Sequence, residues 1–168
     1  MKVLGVDPGT GATGYGVVET GDRGVLRLIE CGVVRTTARA PLATRLSEVH
    51  TALVTLLERH RPDVLAVEEA FHAKNARTTL VLGHARGVIL LAGAMAGIVI
   101  AEYSPAIVKQ SVTGRGGARK PQVGFMVAQL LRLQAPPRPA DAADAVAVAL
   151  THVLRGRAPL VAVPRTAR

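Results

Sequence analysis

The stretch from Lys2 to Asp7 is short and mainly apolar. It runs into Asp-Pro-Gly, which predicts a strand that stops at Pro8. Gly9-Thr10-Gly11 predicts a turn, Gly14 to Glu19 a second strand and Val25 to Thr36 a third. Three strands in quick succession predict an antiparallel meander. The period then changes. Leu42, Leu46, Val49, Leu53 and Leu57 fall at i, i+4, i+7, i+11 and i+15, the stripe of an amphipathic helix. Pro41 suits its first turn and Pro62 marks its end. Asp63 to Glu68 is a short, mostly apolar fourth strand, expected to be central. Asn75 to Ala96 reads as helix, Ile98 to Tyr103 as a fifth strand and Pro105 to Val112 as a short helix. Thr113 to Lys120 is a loop rich in glycine and positive charge. Gln122 to Leu133 predicts a helix with Val123, Met126, Val127, Leu130 and Leu131 facing inward. Gln134 to Pro139 holds three prolines and reads as a linker. Ala140 to Leu154 is a final helix of alanine and valine, small enough to lie close against a sheet. The pattern predicts an α/β fold, a mixed five-stranded sheet with helices on its faces. One domain spans residues 1–154, and 155–168 form a basic tail expected to be poorly ordered.

Composition narrows the class. At 168 residues the chain has room for one domain, and 49% apolar residues argue against global disorder. Four residues are aromatic (Tyr15, Tyr103, Phe71 and Phe125), so the core must be aliphatic. The single cysteine, Cys31, excludes an internal disulfide and a cysteine-ligated zinc site, and suits a reducing compartment. Asp7 and Pro8 interrupt the N-terminal apolar run too early for a signal peptide. The longest apolar run, Val88 to Ala101, has 14 residues, short of the ~20 of a membrane span. The expectation is a soluble, cytosolic protein with no membrane partner. Charge adds a partner class. The net is 21 − 12 = +9, split as +1 over residues 1–106 and +8 over residues 107–168. Such a one-sided field suits a polyanion. Codon bias accounts for arginine over lysine, but not for the loss of acidic residues from the last third.

Among only 12 acidic residues, four sit where solvation is not the obvious reason. Asp7 closes the first strand. Glu68 closes the fourth and is followed by Glu69. Asp141 and Asp144 stand at i and i+3, on one face of the last helix, among alanines. Each has a plain structural reading: a turn former, a strand end, a helix start. Asp144 is the hardest to read that way, because it lies beyond the cap. Clustered carboxylates repel, and burial raises their pKa. A hard divalent cation such as Mg²⁺ makes the cluster tolerable. Two such ions ~3.5–4 Å apart activate water and stabilise the leaving oxygen of a phosphodiester.

These residues belong to a wider set of motifs. G-V-D-P-G-T-G-x-T-G-Y-G-V-V (Gly5 to Val18), V-E-E-A-F-x-A-K-N-A (Val67 to Ala76) and G-x-A-R-G (Gly83 to Gly87) precede V-K-Q (Val108 to Gln110) and A-D-A-A-D-A (Ala140 to Ala145). In this order, over about residues 2–153, they resemble the RuvC Holliday junction resolvases. The resemblance implies a ribonuclease H-like fold and a homodimer that resolves four-way DNA junctions symmetrically during recombination and repair. It implies Mg²⁺, or Mn²⁺ in its place, two ions per subunit, held by Asp7, Glu68, Asp141 and Asp144 as catalytic and metal residues. It also implies 5′-phosphate products, cooperation with the branch-migration proteins RuvA and RuvB, and a place in the bacterial cytoplasm on the nucleoid.

Phe71, in the polar stretch after the acidic doublet, is expected to stack on an opened base, or else to plug the core. Lys109, Arg119 and Lys120 resemble the family's phosphate-contacting residues, and Arg115 lies in the same loop. Gly83 and Gly87 clear one helix face for close approach by the sheet or by a second subunit. His152 reads as a helix C-terminal dipole partner. The four remaining histidines show no ligand spacing. Two other functions compete. Asp7-Pro8-Gly9-Thr10 also fits an ATPase or phosphotransferase of the actin and sugar-kinase class, though that class needs two such domains. A non-catalytic junction-binding module is the third reading.

Overall fold

A computed structural model describes residues 1–9, 11–21, 24–69 and 76–156. The elements are β1 (Lys2–Asp7), β2 (Ala12–Thr20), β3 (Leu26–Arg35), α1 (Leu42–His60), β4 (Val64–Glu68), α2 (Ala76–Met95), β5 (Val99–Tyr103), α3 (Pro105–Thr113), α4 (Lys120–Leu130) and α5 (Ala140–Arg155). One five-stranded sheet has the order β3-β2-β1-β4-β5. The meander β1-β2-β3 is antiparallel, while β4 and β5 run parallel to β1. The sheet is therefore mixed, as the sequence pattern predicts.

Strand alternation splits the core into two layers. Leu4, Val6, Val17, Leu65, Val67 and Ile100 pack with α1 and α2 on one face. Val3, Val18, Val64, Ala66, Ala101 and Tyr103 pack with α3, α4 and α5 on the other. On α1, Val49, Leu53 and Leu57 of the expected stripe are buried, while Leu42 at its start is exposed.

Helix α5 crosses the middle of the sheet at very short range. Its alanines and valines from Ala142 to Leu150 are buried. Opposite them the strands present Gly5, Gly14 and Gly16. A methyl at Gly5 would meet Ala149 N at 2.5 Å and its Cβ at 2.8 Å. At Gly14 it would collide with the carbonyl of Asp141, and at Gly16 with Val146. Glycine below and alanine above thus set the height of α5. That height carries its first turn to the end of β1.

Helix α2 differs. By length and composition it could cross a membrane. Ala85, Ile89, Ala92 and Gly93 are buried, and Arg86 pairs with Glu102 of β5. Leu80, Leu91 and Met95 are exposed. Gly83 and Gly87 have nothing within contact distance among the described residues. The sheet is therefore not what approaches them.

Two expectations need correction. Helix α4 begins at Lys120, not Gln122, because Pro121 fits its first turn and Gln122 closes back on Arg119. His152 is a core group rather than a helix C-terminal dipole partner. It is 2% exposed, and its Nδ1 lies 2.7 Å from the hydroxyl of buried Tyr103. Burial lowers its pKa, so the ring is held neutral. The other histidines form no ligand cluster among the described residues, and His60 instead lies 2.8 Å from Glu30. Helix α5 runs to Arg155, one residue past the expected domain end, and residues 157–168 of the expected tail lie outside the described residues.

Candidate functional site

β1 and β4 are parallel neighbours, with Val6 opposite Val67. The next residues, Asp7 and Glu68, therefore end adjacent strands side by side. Both alternate onto the face that carries α5, since Ala66 is packed there. That alternation settles the doublet: Glu68 faces the site and Glu69 follows on the opposite side. The backbone N–H of Glu69 donates to the carbonyl of Tyr103 at 2.8 Å and fixes the strand end.

Asp141 lies in the first turn of α5, and Asp144 follows at i+3. One carboxylate oxygen from each of Asp7, Asp141 and Asp144 lies within 4.8 Å of the others. Glu68 is electrostatically coupled to both Asp7 and Asp144. Burial, then repulsion from Glu68 and Asp144, pushes the Asp7 carboxyl up to about 8, against its ordinary 3.8. Glu68 is pushed up to about 7, again by burial first and Asp144 second. The four residues come from three elements distant in sequence.

Positive charge enters from the α3–α4 side. The Lys120 ammonium donates to Asp144 Oδ2 at 2.5 Å and also lowers the Asp7 pKa. Lys109 acts on Glu68 in the same sense. Both lysines therefore border the cluster. Arg115 and Arg119 are exposed, in the loop that leads into α4. Their loop is nonetheless shaped: the Thr113 hydroxyl donates to the carbonyl of Lys109 at 2.8 Å and accepts from the N–H of Arg115 at 3.2 Å. Phe71 lies outside the described residues.

Among the described residues the donor set is all carboxylate oxygen, with no thiol or imidazole in the cluster. Half-buried like charges gain most from a hard, oxygen-seeking divalent cation. The residues present therefore fit a divalent metal centre. An apolar cavity of about 590 Å³ between the ends of α1 and α2, lined by Val54, Leu57, Met95 and Ile98, shares no residue with it.

Residue types and order alone did not single out Gly5, Gly14 and Gly16 as the packing floor of the site. The usable signal was glycine recurring at alternate strand positions in a chain whose last helix is nearly all alanine. Nor did they pair Tyr103 with His152, which are 49 residues apart.

Comparison with known proteins gives a consistent picture. The model of the family described as crossover junction endodeoxyribonuclease RuvC matches residues 3–152. A protein of that name from Desulforamulus reducens is 51% identical over 153 residues, covering 90% of this chain and 93% of its own. The Thermus thermophilus RuvC structure superposes with a TM-score of 0.84 at 39% identity, covering 92% of this chain and 94% of that one. T. thermophilus RuvC in complex with a Holliday junction substrate gives 0.83 at 36% identity, with the same coverage.

Proposed function

Because the chain belongs to the RuvC family of crossover junction endodeoxyribonucleases, we infer that it resolves four-way DNA junctions in recombination and repair. A divalent metal centre goes with that membership. The observation that carries the reading is the meeting of Asp7, Asp141 and Asp144 oxygens within 4.8 Å, with Glu68 beside them. The ATPase and non-catalytic readings are not favoured, since the family match spans nearly the whole chain.

Asp7, Glu68, Asp141 and Asp144 would hold two Mg²⁺ ions per subunit, with Mn²⁺ able to replace them. When bound, such ions supply an activated water and charge stabilisation for phosphodiester hydrolysis. The protein's own residues do the rest. The floor of glycines under α5 fixes Asp141 and Asp144 relative to Asp7. Lys109 and Lys120 stand at the rim as cations for the scissile phosphate, where Lys120 offsets the charge that builds on its oxygens. Arg115 and Arg119 track backbone phosphates, and Phe71 stacks on an opened base at the crossover. Water adds in line to phosphorus and the bond to the 3′ oxygen breaks. The products are a 5′-phosphate and a 3′-hydroxyl.

A junction of two-fold symmetry suits a two-fold protein. The exposed row Leu80, Gly83, Gly87 and Leu91 on α2 is the face for a second copy. The dimer would work in the bacterial cytoplasm, on the nucleoid, with RuvA and RuvB. The nuclease domain ends near residue 154, with the basic stretch 155–168 after it. Incubation of a labelled four-way junction and a matched linear duplex, with and without Mg²⁺, tests the reading. Metal-dependent, paired cuts in the junction alone are expected. Equal cutting of the duplex, or none with metal, would overturn it.

A further inference from the structure

The charge split along the chain places nearly all excess positive charge after residue 106, yet the fold builds a second basic surface from earlier residues. The connection from β3 to α1 and the first turns of α2 enclose a groove lined by Arg39, Arg45, Arg77 and His84. Its volume is about 610 Å³. A smaller adjoining hollow of about 310 Å³ shares Arg45 and Arg77 and continues to Thr36 and Gly11. Among the described residues no acidic side chain lines either space.

The arginines differ in how they are held. Arg45 is positioned: its Nε donates to the Thr36 hydroxyl at 3.0 Å. Its charge is partly balanced by Glu48, which accepts from the N–H and hydroxyl of Thr37 at 2.9 and 2.8 Å. Arg39 and Arg77 are exposed and have no ion-pair partner among the described residues. Two uncompensated guanidinium groups facing one groove repel each other, and an anion relieves that cost. Distance ties the smaller hollow, which Gly11 lines, to the carboxylates. Gly11 is four residues from Asp7, so their Cα atoms lie within about 14 Å at full extension. That is about four nucleotides of rise along one DNA strand.

We propose that this groove is a second DNA track, in which Arg39 and Arg77, together with Arg45, hold backbone phosphates of a junction arm. The proposal rests on the junction-resolving reading and adds a face to it. DNA would then be gripped on both sides of the carboxylates, from α3–α4 on one side and from β3–α1–α2 on the other.

The test is junction affinity against salt, in chelator so that no cutting occurs, for the wild type and for Arg39→Gln/Arg77→Gln. Both side chains are exposed, and the melting temperature should be unchanged. Each lost phosphate contact lowers the slope of log K against log salt by about 0.9. The double variant should therefore lose about tenfold less affinity than the wild type between ~50 and ~200 mM salt. Parallel slopes would overturn the proposal and leave the groove to an acidic protein surface. A wild type that binds duplex as well as junction would instead count against the junction reading. The slope difference on that duplex would still decide the groove.

Discussion

Gly14 of β2 lies directly beneath the backbone carbonyl of Asp141, so close that a side chain of any size collides with it. Gly14 is also the register partner of Asp7. One glycine thus sets the spacing between the strand that carries the first carboxylate and the helix that carries two more. Gly14→Ala is expected to lift the start of α5, costing about 1–3 kcal/mol of stability. Metal-dependent cleavage should drop more than junction binding does. Thermal melting beside cleavage and binding assays checks this, and an unchanged cleavage rate would refute the packing argument.

Asp7→Asn removes the most perturbed carboxyl. Cleavage is expected to fall at least about a thousandfold, since several kcal/mol of charge stabilisation go with it. Junction binding in chelator should persist. The same substitution should raise the stability of chelated protein by about 2 kcal/mol, because it relieves burial of a repelled charge. Denaturant melts with and without Mg²⁺ measure both signs at once.

The raised carboxyls fix a pH dependence. In the folded chain Asp7 titrates near 8 and Glu68 near 7, against ordinary values of 3.8 and 4.5. Between about pH 4 and 8 the folded state therefore holds more protons than the unfolded state. Stability of chelated protein should decline as pH rises through that window, and flatten above it. Glu30 and Glu48, held below the usual carboxylate range, act in the opposite sense but at more acidic pH. Saturating Mg²⁺ should reverse the trend near neutrality, since it binds the ionised form. A melting temperature of chelated protein that climbs from pH 5 to 8 would contradict the crowded site.

Tyr103→Phe isolates a structural role. The substitution leaves the buried His152 Nδ1 without its partner. The expected cost is about 1–3 kcal/mol, with metal affinity unchanged. Calorimetric titration of Mg²⁺ together with a denaturant melt separates the two effects.

Leu91→Glu places a charge in the exposed row of α2. If that row meets a second copy, sedimentation at micromolar concentration should change from dimer to monomer. Stability of the isolated fold should change by less than about 0.5 kcal/mol, as at other exposed positions.

By itself, the sequence determined the elements and the chemistry on offer. Period-two and period-3.6 patterns placed β1 through α5 within a few residues, because burial on one face leaves that imprint on any chain. Asp144 among alanines was legible as out of place, and the spaced motifs carried the family. Tertiary structure alone decided what meets what. It put Glu68, which motif position already favoured over Glu69, on the side of the sheet that α5 covers. It placed His152, expected as a dipole partner at the helix C-terminus, in the core against Tyr103. It gathered Arg39, Arg45 and Arg77 into one groove from a stretch whose net charge is nearly balanced. Charge and hydropathy are summed along the chain, whereas pKa and recognition depend on distances across it, and those distances exist only once the sheet, its glycines and α5 have closed on each other.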